Sequence, residues 1–430
     1  MLPALCLADG AYYDVDKLGV PKFVNRLHID LSQITTDGNV KYRVIRSISK
    51  FRSSAGHDSS DSVETCRSMK HYFGNPDENT KIYSPISGTV TQTFPEGTTG
   101  DAVSIQSDIY PAFVFRLWHV VLKKPLTQGE KLSEGQLLGH HVGPQTGSDI
   151  GVLVAAPPGK YPVIPNVPYG RAVSFFDTLT DQGFAPFKAM GFTSPQEFII
   201  SQAERDAHPL TCAHGPGTYP TSIDTLPSVV YPNDAVTLHV RAGWNLLGNS
   251  WQRWLSVASV FGNTKIYSVW AWPWANHWYF YSPLMTPDEL ASYALSKGYE
   301  VLANIYGGEG LWVNAKESVD LPLPPDILDA TNTVPSSNLS WTHCDGWGID
   351  AVGDNPKPID FSNAISANSD ISSLWVWDNP KSKWYFYSSS LDAQGGTALS
   401  DYIKSKGYLD FATYNKKLGL GVGFWVNSPC

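Results

Sequence analysis

The eleven histidines of this chain include several at spacings that could hold a divalent metal or move a proton. His57-Asp-Ser-Ser-Asp61 and His71-Tyr-Phe-Gly-Asn75 each set an imidazole four residues ahead of an oxygen donor. His119 closes the apolar run Ala112–His119, His140 and His141 are adjacent, and Asp149-Ile-Gly151 contributes one carboxylate. Zinc-dependent hydrolysis requires three protein ligands, an open position for water and a group that handles the proton. A different chemistry sits further along. Fourteen of the fifteen tryptophans lie at or beyond Trp244, and indole faces stack on the C–H face of a pyranose while polar neighbours bond its hydroxyls.

The elements that must position these groups read as strands. Ile82–Val90, Ala102–Gln106 and Ala112–Val121 are short apolar runs punctuated by Gly and Pro, the pattern of strands rather than helices. Residues 9–70 form a β-rich entry segment with polar turns such as Thr36-Asp-Gly38. Residues 172–207 are the first helical region, with Ser194-Pro-Gln-Glu197 as a capped start. Residues 208–235, rich in Pro, Thr, Ser and Gly, form a linker.

From Leu238 onward the chain repeats itself. Gly243-Trp244, Ser268-Val-Trp-Ala-Trp272, Trp278-Tyr-Phe-Tyr281, Ser296-Lys-Gly-Tyr299 and Trp312-Val-Asn314 recur in order. Their second copies are Gly346-Trp347, Ser373-Leu-Trp-Val-Trp377, Trp384-Tyr-Phe-Tyr387, Ser405-Lys-Gly-Tyr408 and Trp425-Val-Asn427. Each repeat is a small α+β module. In the first copy Thr286 is a helix N-cap, Pro287 stands at N1, Glu289 completes a capping box and Gly298 takes the left-handed position after the helix. Trp270, Trp312, Trp375 and Trp425, at repeated positions, are assigned to the core. Trp272, Trp274, Trp278, Trp377 and Trp384 are the candidates for a binding surface.

The segment 71–154 resembles the lysostaphin-type zinc endopeptidases, which cut peptide cross-links of bacterial cell walls. His71-Tyr-Phe-Gly-Asn75 ahead of Ile82–Val90 is similar to the family's His-x-x-x-Asp metal ligands and the strand that follows. Leu117-Trp-His119 is similar to the motif with the catalytic histidine. Gln128-Gly-Glu-Lys-Leu-Ser-Glu-Gly-Gln-Leu-Leu-Gly139 is similar to the glycine-punctuated hairpin before the terminal His-x-His. The resemblance implies a peptidase-like, lipoyl-like barrel-sandwich β domain. Where the family has His-x-His this chain has Asp149-Ile-Gly151, and Asn75 replaces the aspartate. Glycine has no side chain to ligate with, so the expectation is a degenerate site with no zinc and no catalytic residue. An active site would instead use His119 as the catalytic histidine, with metal ligands drawn from His71, Asn75, His57, Asp61 and Asp149.

Composition bounds the rest. At 430 residues with 42% hydrophobic and 17% charged residues, the chain folds into more than one domain. Its net charge of -9, without a basic run, argues against nucleic-acid partners. No stretch reaches the roughly 18 apolar residues of a membrane span. The expected fold is mostly β: residues 1–8 the end of a secretory signal, 9–207 the peptidase-like domain with a helical C-terminal part, 208–235 a linker, 236–316 the first repeat, 317–341 a Pro-rich linker and 342–430 the second repeat. In an oxidising compartment Cys344 pairs with Cys430 and Cys66 with Cys212, the other connectivities remaining open. The reading is a secreted, non-catalytic surface or cell-wall-associated protein that binds glycan, other polysaccharide or a surface protein. Its alternatives are an active zinc endopeptidase with Trp-rich targeting repeats and a self-assembling structural subunit.

Overall fold

The structure, a computed structural model, describes residues 12–161, 170–212, 218–272, 277–328, 333–336, 345–354 and 371–429. The chain is mostly β and divides into two compact units. Residues 1–34 and 43–235 form the first; residues 35–42 and 236–430 form the second.

The first unit is built on one large sheet. Along its main path lie Val229–Val230, Ser47–Ser49, His71–Gly74, Ser148–Val154, Phe113–Leu122, Asp101–Ser107, Gly88–Pro95 and Lys131–Leu132. The stretch expected to be a linker thus supplies an edge strand, because Val229 and Val230 pair with Ser49 and Ile48. The alternation of the central strands sorts their faces. Phe113, Phe115, Leu117, Ile150, Val152 and Val154 are fully buried on one side. The core they enter is completed by the helical region. Its segments are Phe175–Thr178, Asp181–Ala189, a 3-10 turn at Pro195–Phe198 and Gln202–Ala207. Phe176 stacks on Phe198 at 3.8 Å between ring centres. The capping box at Ser194 and Glu197 forms, yet it starts only that 3-10 turn; Ile199 is extended, and the helix begins afresh after Ser201. Cys66 and Cys212 form a disulfide across 146 residues of chain.

In the second unit the strand Val40–Arg43 pairs with Val236–Val240, which carries residues 35–42 out of the entry segment. Gly38, at φ +59°, makes the turn between the neighbouring strands Ile34–Asp37 and Val40–Arg43, and a Cβ there would lie 2.3 Å from the Leu420 carbonyl oxygen. The two repeats share this one unit. The first builds a sheet ordered Gly243–Gly248, Gly310–Ala315, Ile266–Ala271, Tyr279–Tyr281 and Glu300–Val301; the second orders Asp345–Ala351, Gly423–Pro429, Ser373–Asp378 and Lys383–Ser388 in the same way. The first repeat's helix spans Pro287–Lys297 with Thr286 as N-cap, the Glu289 capping box and Gly298 left-handed. Within the stretch expected to join the repeats, Val319–Pro322 is a strand paired with Val236–Val240. The repeats meet at glycines that leave no room for a side chain: a Cβ on Gly423 would sit 2.0 Å from the Leu247 carbonyl oxygen, and one on Gly248 2.3 Å from the Ala351 Cβ.

Candidate functional site

Two constellations carry chemistry, one in each unit. In the first unit, Ile150 lies opposite His71 and Leu117 in the sheet, and Asp149 lies opposite Tyr72. His71, Ile150 and Leu117 therefore share the core face, while Lys70, Tyr72, Asp149, Gly151, Arg116 and Trp118 share the other.

This corrects the expected ligand set. His71 is fully buried in the core, where its Nδ1–H donates to the Ser49 carbonyl (2.8 Å) and its Nε2 accepts from the Ser174 hydroxyl (2.8 Å). Both ring nitrogens are consumed, and burial lowers the pKa to about 4. Asn75 is exposed, one strand end away, in the left-handed region at φ 66°. Asp61 is buried against Arg171, 3.0 Å from its Nη1, and caps the Ala172 N–H. The spacing of the two motifs is thus real in sequence, but His71 is buried while Asn75 is exposed, and Asp61 is committed to Arg171 and the Ala172 N–H.

What does converge is Lys70, Asp149, His119 and Glu96. The Lys70 ammonium lies 2.6 Å from Asp149 Oδ2, over the rings of Trp118 (4.4 Å) and Tyr72 (4.8 Å). His119 Nε2 is 3.6 Å from the same carboxylate oxygen, and its Nδ1 is 3.3 Å from Glu96 Oε2. Burial disfavours the charged ring, but Asp149, Glu96 and the Thr99 carbonyl outweigh it and raise the His119 pKa. A β-bulge aims this side chain. Asp101 and Val103 face Val120 and Leu117, so the strand carries one extra residue here, and His119 takes φ +65°. His57 lies near Lys70 and Asp149, its pKa lowered by burial and then by Lys70. His141 is buried and His140 exposed, on opposite faces; the His141 Nδ1 accepts from Gly143 N–H and its Nε2–H donates to the Gly147 carbonyl.

The residues present do not fit zinc. Among the described residues no group of three His, Cys, Asp or Glu side chains is arranged to hold a metal ion: Asp149 and Glu96 approach different nitrogens of the His119 ring, and the Lys70 ammonium lies 2.6 Å from Asp149. Gly151 is covered by Trp118: a Cβ there would meet the indole at 3.1 Å. Nothing in the sequence marked Lys70, which lies 79 residues from its partner carboxylate.

In the second unit, the tryptophans expected in the core are not there. Val269, Ala271, Leu311 and Val313 fill the core side of the first repeat's sheet, and Leu374, Val376, Phe424 and Val426 that of the second. Trp270, Trp312, Trp375 and Trp425 alternate with them and lie half-buried on the opposite face. Side chains two apart share a face, so Trp272 joins Trp270, and Trp377 joins Trp375. Among the described residues the fully buried indole is Trp251, at 1% exposure. Trp274, Cys344 and Cys430 lie outside the described residues.

The aromatic face is built identically in both copies. The Trp270 indole N–H donates to the Ser268 hydroxyl (2.9 Å), and that of Trp375 to Ser373 (3.2 Å). Trp270 meets Trp278 edge-on at 6.1 Å and 87°; Trp375 meets Trp384 at 6.2 Å and 88°. The rings of the two repeats also meet each other: Trp312 lies 5.8 Å from Trp384, and the Trp377 N–H donates to the Trp244 carbonyl. Two open aromatic cavities result, of ≈ 640 Å³ and ≈ 560 Å³. Upright and flat rings at right angles offer both walls and floors to a flat, C–H-faced ligand.

No protein-family model matches the chain, and comparison with curated proteins gives no match. Solved structures resemble parts of it. A zinc-containing peptidase from Vibrio cholerae aligns at 20% identity over 31% of this chain and 37% of its own, with a TM-score of 0.20. Csd3 of Helicobacter pylori aligns at 14% over 37% and 44%, with a TM-score of 0.19. Lysostaphin aligns at 11% over 59% and 78%, with a TM-score of 0.20. The chain spans less than half the length of the first two. Likeness at such low scores leaves the chemistry to be read from the chain's own residues.

Proposed function

We propose that this is a secreted, non-catalytic protein that binds a surface or cell-wall glycan through the aromatic face of its two repeats, its first unit being a peptidase-like scaffold without a working metal centre. The observation that carries the reading is the placement of the indoles. Aliphatic side chains fill the core side of the first repeat's sheet, and aliphatic side chains with Tyr385, Tyr387, Phe411 and Phe424 that of the second, while the indoles of Trp270, Trp312, Trp375 and Trp425 are left to the opposite face. In the first unit, the Lys70–Asp149 pair and the indole over Gly151 support a structural role for the residues at the peptidase-like position. The Cys66–Cys212 disulfide suits an oxidising compartment, and among the described residues no helix is long and apolar enough to cross a membrane.

Retention on insoluble glycans tests this. The double variant Trp272→Ala/Trp377→Ala should melt within a few degrees of the parent and lose retention on the cell-wall, chitin or cellulose matrix that holds the parent. Retention unchanged in a folded double variant would overturn the assignment, as would stoichiometric zinc with peptidoglycan cleavage by the parent.

A further inference from the structure

The two aromatic cavities are copies of one another, and each is completed by the other repeat. One takes Trp244, Trp270, Trp278 and Trp312 from the first repeat and is closed by Trp377 and Trp384 of the second. The other takes Trp347, Trp375, Trp384 and Trp425 from the second repeat and is closed by Trp272 and Trp278 of the first. The repeat alignment converts the tryptophans of one set into those of the other: Trp244 into Trp347, Trp270 into Trp375, Trp312 into Trp425, and the closing pair Trp377 and Trp384 into Trp272 and Trp278, with Tyr299 added to the first cavity alone and Gly346 to the second. Trp278 and Trp384 belong to both cavities and form the wall between them.

From this geometry we propose a paired site: two equivalent pockets, one shared indole wall apart, that bind two sugar rings of a single neutral polysaccharide chain. The proposal rests on the glycan reading above and adds to it the valence, the charge class of the ligand and the residues of each pocket. The linings hold no charged side chain among the described residues, which complements an uncharged ligand and gives an anionic or cationic one no ion pair to replace its hydration. The N–H groups of Trp270, Trp375 and Trp377 are spent on Ser268, Ser373 and the Trp244 carbonyl. These rings therefore offer faces rather than donors, which suits the C–H face of a pyranose better than the carbonyls of an extended peptide. Two adjacent pockets for the same ring chemistry turn the second contact into an intramolecular one, so chain length should set affinity.

The test is titration calorimetry of the intact protein with β-1,4-linked oligomers of N-acetylglucosamine, glucose and xylose, one to six units long. In the series that binds, the longest oligomer should bind one per protein and on the order of 10²-fold tighter than the monomer. Trp244→Ala and Trp347→Ala target rings that are 45% and 48% exposed, so both variants should fold. Each should reduce the long oligomer to the affinity of a short one, by equal factors, and leave the monomer bound at half the sites. Trp278→Ala should weaken both pockets and fall below either single variant; its melting curve shows whether it is folded, and the Trp244 and Trp347 pair decides the question without it. Length-independent affinity, or loss in one of those two variants with none in the other, overturns the paired site while glycan binding stands. Absence of binding in all three series overturns the glycan reading itself.

Discussion

Replacing His71 with Gln separates a core histidine from a ligand by its acid response. In the folded protein the ring is neutral by construction: Nδ1–H is committed to the Ser49 carbonyl and Nε2 to the Ser174 hydroxyl, whose oxygen in turn accepts from Phe176 N–H. Above the ordinary histidine value of 6.5 both folded and unfolded states carry the neutral ring, and its full contribution is present. As pH falls from 6.5 towards about 4, the unfolded chain takes up a proton that the folded chain refuses, and stability is lost. Below about 4 both states are protonated and the loss stops. At 1.36 kcal/mol per unit, the depression from 6.5 to about 4 corresponds to about 3 kcal/mol. Urea unfolding at pH 7.5 and pH 4.5 measures most of it: the parent should lose about 2–3 kcal/mol more than His71→Gln between the two. His28, also buried and depressed to about 3, responds equally in both proteins and cancels in the comparison. Equal losses in parent and variant would show that the folded ring protonates freely, and the placement of His71 in the core would be refuted.

Two further expectations concern stability. Lys70→Met strands the buried Asp149 carboxylate and should cost about 3–5 kcal/mol, while Lys70→Met/Asp149→Leu should recover most of it; a double variant as unstable as the single one, by urea unfolding, would argue against a structural ion pair. Trp251→Ala should cost about 3–5 kcal/mol, lowering the melting temperature by roughly 6–20 °C, whereas Trp244→Ala should stay within a few degrees by circular dichroism.

Much of this was legible in the residues. The strands of 81–154 follow from their Gly- and Pro-bounded apolar runs, and the helix Pro287–Lys297 from the Thr286 and Glu289 capping box and Gly298. The tandem repeat follows from its own text. Phase was harder to read. Trp270 and Val269 both suit a half-buried strand, and only the packed sheet shows that valine faces the core and tryptophan the open side. The same one-residue phase separates His71, in the core, from Lys70, in the polar cluster. The bulge that turns His119 towards Asp149 depends on pairing with Asp101 and Val103, a long-range register that local pattern does not carry. Residues 208–235 looked like a linker because Pro and Ser dominate them, yet two valines suffice for an edge strand.

The central claim is that the rings of the paired repeats, and not the polar cluster of the first unit, contact ligand. Labelling the tryptophans with nitrogen-15 and following their indole N–H resonances during addition of the oligosaccharide that binds tests it most directly. The account predicts shifts for indoles of the two cavities, recognised by loss of one peak each in Trp244→Ala and Trp347→Ala, with Trp118 and Trp251 unmoved. Shifts at Trp118 with the cavity indoles unmoved would contradict it.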